Sequence, residues 1–155
     1  MPADQPGFQG ESLIGVIQAA SMGGSSFDLV VTTHRVIGFY VGFSGGGSSL
    51  TGAALGAVMS SGESGRRASY AGLTFDAVAQ AHTKNFWIPS VSITSASLDG
   101  GISALTLPTL KVVAGGRRFH FSFEKQNWSR NEAALAQAKA ILWSALGPRA
   151  VFVRV

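Results

Sequence analysis

The residues with the most chemical potential in this chain are a serine and a histidine. Gly42-Phe43-Ser44-Gly45-Gly46 fits the pattern G-x-S-x-G. In hydrolases of that pattern the serine sits on a sharp strand-to-helix elbow, and an acid and a histidine follow it in the chain. A β-prone run precedes Ser44, and Asp76 or Asp99 and then His120 follow in that order. The residues after Ser44 are Gly-Gly-Gly-Ser-Ser, which is turn chemistry rather than a helix start. A Gly-rich turn is therefore the preferred reading, and a small serine hydrolase using Ser44 and His120 stands as the alternative.

Metal and phosphate chemistry find less support. His34, His82 and His120 are the three histidines; none has a second His at helical ligand spacing, and the one acid at that spacing, Glu124 after His120, lies in a strand-like alternating run. No Gly-Lys-Ser/Thr follows the glycines, so no phosphate-cradling loop is indicated. The chain has no cysteine, which excludes disulfides, thiolate metal sites and cysteine nucleophiles. No cofactor, metal or small-molecule substrate is inferred. The close basic pairs, Arg66-Arg67 and Arg117-Arg118, could contact an anion. A nucleic-acid binder would add Arg35 and the aromatic residues, and would need these cations on one face. Solvated surface is the simpler reading, since 12 basic against 8 acidic residues reflects few acids rather than many bases.

The Gly-rich stretch after Ser44 is the unusual feature. No Asp, Glu, Lys or Arg lies between Arg35 and Glu63. Ser48, Gly52, Gly56 and Ser60 recur every four residues, backed by Leu50, Leu55, Val58 and Met59. On a helix this spacing makes a ridge of small side chains that allows close backbone approach. A flexible loop and a short packed helix both fit the pattern, while a transmembrane helix is disfavoured by the Ser-Gly-Gly-Gly-Ser-Ser run, since a span needs about 20 predominantly apolar residues. The expectation taken forward is an association or membrane surface formed by Ser48, Gly52, Leu55, Gly56, Val58, Met59 and Ser60.

These groups have to be positioned by a chain of 155 residues with mean hydropathy +0.26, 20 Gly and 13% charged residues, a compact and thinly charged composition. Residues 1–10 read as a flexible terminus with no secretory signal. Glu11–Ala20, Phe27–Thr33 and Arg35–Phe43 read as a meander of strands, and Thr33-His34 as a tight connection. Residues 44–85 form a Gly-rich insertion whose second half, Leu73–His82, reads as a helix with Thr74 as N-cap. Ser90–Leu98 and Ser103–Ala114 read as strands, the second interrupted by Pro108. In Arg117–Glu124 strict alternation puts Phe119, Phe121 and Phe123 on one face and Arg118, His120 and Ser122 on the other. Ser129 and Glu132 form a capping box for a helix whose apolar stripe is Leu135, Ala138, Ile141, Leu142, Ala145 and Leu146, ended by Gly147-Pro148. Residues 147–155 form the tail, in which Ala150–Val155 is β-prone and fits an extra strand, a partner-binding edge or residues foreign to the domain.

Leu29–Gly42 (LVVTTHRVIGFYVG), Ile88-Pro89-Ser90-Val91-Ser92-Ile93 and RRFHFSFE resemble strand motifs of prokaryotic PH-like and GRAM-like domains, over roughly residues 11–146. The resemblance implies an antiparallel β-barrel or sandwich capped by a C-terminal helix, with no shared catalytic residues. It implies a noncatalytic binding module, acting through protein association, its own copy included, or through an anionic membrane surface. The expected setting is cytoplasmic, with peripheral membrane contact as an option and nucleic acid disfavoured as a partner.

Overall fold

A computed structural model describes residues 10–43, 74–80, 83–102, 106–123 and 132–155. The strands are β1 (Leu13–Met22), β2 (Ser25–Thr32), β3 (Arg35–Phe43), β4 (Phe86–Pro89), β5 (Ile93–Asp99), β6 (Thr109–Ala114), β7 (Arg117–Phe123) and β8 (Ala150–Val153). Helix α1 (Phe75–Gln80) precedes β4, and helix α2 (Glu132–Leu146) precedes β8. The protein is mainly β with a C-terminal helix. The eight strands make a single sheet in the order β4-β3-β2-β1-β7-β6-β5-β8.

Short turns dictate the antiparallel pairs. Thr33-His34 joins β2 to β3, and Gly-Gly turns join β1 to β2 and β6 to β7, as adjacent strands linked by two residues must run antiparallel. Two such groups, β1–β4 and β5–β7, meet where Ala20 and Ser21 of β1 pair with Phe123 and Ser122 of β7. The sheet is strongly curled. Phe86 of β4 stacks on Phe119 and Phe121 of β7, at 5.9 and 6.2 Å between ring centroids, although three strands separate β4 from β7 in the sheet order.

The inner face of the curl holds the main core. Phe27, Leu29, Val31, Ile88, Ile93, Leu98, Leu110, Phe121 and Phe123 pack there against Ala138, Ile141, Leu142 and Leu146 of α2. The alternation expected for β7 is present: Phe121 and Phe123 are buried, Phe119 packs against the core, and His120 is exposed. Gly38 is essential to this packing. A Cβ there would lie 2.3 Å from the Phe86 ring, which Phe27, Phe119 and Phe121 already hold in place. A second, smaller cluster covers the outer face of β1–β3, where Val30, Ile37 and Phe39 meet Val78 and Ala79 of α1.

The structure corrects four expectations. The sheet is open and does not close into a barrel. β4 has only four residues and ends at Pro89, while the far side of β5 is occupied by β8. The pairing is not wholly antiparallel, because β8, the unassigned tail, runs parallel to β5. Ser90–Ser92 is a 3-10 turn rather than strand, leaving Val91 on the surface. A register shift between Ile93 and Ser95 then changes the alternation, so Ile93, Ala96 and Leu98 are the buried residues of β5. Finally, Pro108 precedes β6 instead of interrupting it; its carbonyl accepts from the Phe123 N–H. The Thr74 cap is present, its Oγ1 accepting from the Ala77 N–H at 3.1 Å. The capping-box serine, Ser129, and the N-terminal residues 1–9 lie outside the described residues.

Candidate interaction edge

Three places combine unusual chemistry with defined geometry: a buried ionic cluster, a basic band on the sheet, and the edge formed by β8. The ionic cluster arises because Arg35 shares the outer face of β3 with Ile37 and Phe39, so strand alternation drives a guanidinium into an apolar layer. Its side chain is 1% exposed. It donates through Nε and Nη2 to the two carboxylate oxygens of Glu11, at 2.9 and 3.1 Å, and through Nη2 to Asp76 at 2.7 Å. The Trp87 ring lies over it at 5.3 Å. Burial opposes the charge, but the bonds from Glu11 and Asp76 outweigh it and raise the Arg35 pKa above its ordinary value. Thr32 Oγ1 donates to Glu11 and accepts the Arg35 N–H, closing the network. The cluster fastens residue 11 and α1 to β3. Arg35 is thereby unavailable for the nucleic-acid contact that the sequence had suggested for it.

A hydroxyl–imidazole contact is present where sequence reasoning did not place one. Thr33 Oγ1 lies 2.8 Å from His34 Nδ1 on the exposed β2–β3 turn, and it also accepts the Ser12 N–H. With its oxygen engaged by the backbone and its surroundings open to water, this pair braces a turn. His120, the proposed partner of Ser44, stands exposed on the outer face of β7. Ser44 lies outside the described residues, as do Ser48, Gly52, Leu55, Gly56, Val58, Met59, Ser60, Arg66 and Arg67. Among the described residues no group of His, Asp and Glu is arranged to hold a metal ion, and no helix is long and apolar enough to cross a membrane.

Arg117 and Arg118 are both exposed, but successive strand residues point to opposite faces, so they do not act as one patch. Arg118 instead shares the outer face with His120 and with Lys111, which is paired directly opposite His120 on β6. The three side chains form a basic band across β6 and β7.

The β8 edge is of another kind. Register pairs Ala150 with Ala96 and Phe152 with Leu98 on the inner side, and Val151 with Ser97 and Val153 with Asp99 on the outer side. In a parallel ladder, alternate residues of a strand bond the same neighbour. The Gly100 N–H donates to the Val153 carbonyl, so Val151 and Val153 turn their main-chain groups to β5. Those of Phe152 point away from the sheet. Val151 is 48% and Val153 40% exposed, and no charged residue interrupts Ala150–Val153. Lys139 of α2 lies over the Phe152 ring, and Trp143, one helical turn further along the same row, is 56% exposed.

Both arginines that flank this strand are held by their own domain. Arg149 donates to the Leu146, Ser90 and Ile93 carbonyls. Arg154 grips Asp99 through two bonds, Nε to Oδ1 at 2.9 Å and Nη2 to Oδ2 at 2.5 Å. Those bonds, with the Gly101 N–H, hold the Asp99 carboxyl below its ordinary range. Arg154 adopts a left-handed φ of 55°, which costs a residue with a side chain about 1–2 kcal/mol. Gly100 makes the turn possible, since a Cβ there would sit 2.2 Å from the Arg154 carbonyl oxygen. The β-prone, uncharged composition of 150–153 was visible in the sequence; its pairing with β5, over fifty residues away, was not.

Compared with protein-family models, with curated proteins and with solved structures, the chain matches none.

Proposed function

We propose that the protein is a noncatalytic, PH-like interaction module that acts by protein association, taking an extended strand onto its β8 edge. The observation that carries this reading is the outward-facing main-chain pair of Phe152 on an uncharged strand. An exposed edge of this kind is a template for strand addition, and natural sheets usually blunt it with Lys, Pro or a covering element. The opposite edge has such protection: β4, as short as β8, ends in Pro89, which has no N–H to donate. The PH-like part of the reading draws on the strand motifs and on the element order, in which strands, a long connection, further strands and a closing helix succeed one another. No catalytic role is proposed for Ser44 or His120.

The test is a titration of labelled protein with a capped hexapeptide of alternating Val and Thr, followed by amide NMR. The expected result is chemical-shift change centred on Ala150–Val153. Shifts confined to β4, or none at all, refute the reading.

The band of Lys111, Arg118 and His120 supports a second reading, peripheral contact with an anionic membrane surface, because three basic side chains on adjacent strands share one open face. Co-sedimentation with phosphatidylserine vesicles that disappears in Lys111→Glu/Arg118→Glu would favour it.

A further inference from the structure

We propose that the strand accepted by β8 is the β8 of a second copy, paired antiparallel about a two-fold axis at Phe152; this rests on the edge reading above. The main-chain groups of Phe152 face outward, so a Phe152–Phe152 pair would exchange both N–H···O bonds across the axis. In that register Val151 stands opposite Val153 of the second copy, and the ladder ends there because Arg154 leaves the extended conformation. Every side-chain pair within 150–153 is then apolar; the cation nearest the axis is Lys139 of each copy's α2, which lies over its own Phe152 ring.

The flanking cations point to a copy rather than to a charged foreign strand. Arg149 and Arg154 are bonded to Ser90, Ile93 and Asp99 of their own domain, so both cations are matched without a partner strand. What remains on offer is a short, neutral, apolar strand, and its complement under a two-fold operation is itself. Such self-complementary patches are how closed homodimers form. The Trp143 side chains add exposed apolar surface on each copy's α2.

The absence of cysteine makes the register directly measurable. Opposed non-hydrogen-bonded residues lie about 4.5 Å apart at Cα, within the span of a disulfide. Two Val151 residues would be about 8 Å apart, from a rise of about 3.3 Å per residue and a strand spacing of about 4.8 Å, which is beyond that span. Val151→Cys and Val153→Cys are prepared separately and oxidised alone or mixed, and both positions are exposed enough to tolerate the change. The expected result is a disulfide dimer that forms at least ten-fold faster in the mixture, and a sedimentation-equilibrium mass of the unmodified chain at twice 16.1 kDa. A mass that stays at 16.1 kDa at every concentration overturns self-pairing. Equal cross-linking in the mixture and in the separate variants overturns the register. In either case the Val/Thr hexapeptide titration separately decides whether the edge binds strands, so failure of the copy and failure of the edge are distinguishable.

Discussion

Replacing Arg35 with Met tests whether the ionic cluster is what fastens the outer layer to the sheet. Methionine fills much of the same volume but leaves the Glu11 carboxylate, whose side chain is 6% exposed, with only the Thr32 hydroxyl as a described partner. Asp76 is 35% exposed and recovers water at small cost. Hydrogen bonds to charged groups are worth about 1.5–3 kcal/mol each, and Glu11 loses two of them. Removing one partner of a buried pair typically costs about 3–5 kcal/mol, and the same range is expected here. Urea unfolding of Arg35→Met, Glu11→Gln and the double variant supplies a thermodynamic cycle. The double variant should recover a large part of the loss, because no uncompensated carboxylate remains. A cost for Arg35→Met below about 1 kcal/mol, the value of a surface pair, would refute the reasoning.

Further outcomes follow from the packing and from the β8 clamp. Leu142→Ala should lower stability by about 2–5 kcal/mol in urea unfolding, because its side chain is buried between α2 and the sheet. Gly38→Ala should cost about 1–3 kcal/mol, since the Phe86 ring opposite has no room to retreat; a neutral result in thermal unfolding would contradict the stacked arrangement. Asp99 has a folded pKa below its unfolded value near 3.8, so its contribution is present above that pH and is lost as pH falls through 3.8 towards the lower folded value. Asp99→Asn should therefore flatten the stability profile in that acidic window, measured by thermal unfolding across pH.

Much of the fold was legible because its signals are local. The alternation of Phe119, Phe121 and Phe123, the stripe of α2 ended by Gly147-Pro148, and the Thr74 cap each arise within a few residues. Pairing over long separations was not legible. Nothing near Ala150 indicates that it will lie beside Ala96, and nothing near Arg35 names Glu11 and Asp76 as its partners. A signal did exist in the second case. Arg35 falls in the same strand phase as Ile37 and Phe39, and a charge in an apolar row must find a buried counter-charge. The register shift after Ile93 was hidden as well, because the run Ser90–Leu98 alternates plausibly in either phase. The candidate edge was legible as composition and not as position: an uncharged β-prone run becomes a free edge only once its neighbour is known.

Comparing Phe152→Pro with Phe152→Ala tests the main-chain edge at Phe152 most directly. Both remove the ring, but only proline removes the outward N–H, which the β5–β8 ladder does not use. Affinity for the Val/Thr hexapeptide is read by the amide shifts of β8, with circular dichroism as the check on folding. Phe152→Ala should keep binding within about three-fold, while Phe152→Pro should lose at least ten-fold, about the 1.4 kcal/mol expected for one main-chain bond. Equal binding by both variants would contradict a main-chain edge as the interaction surface.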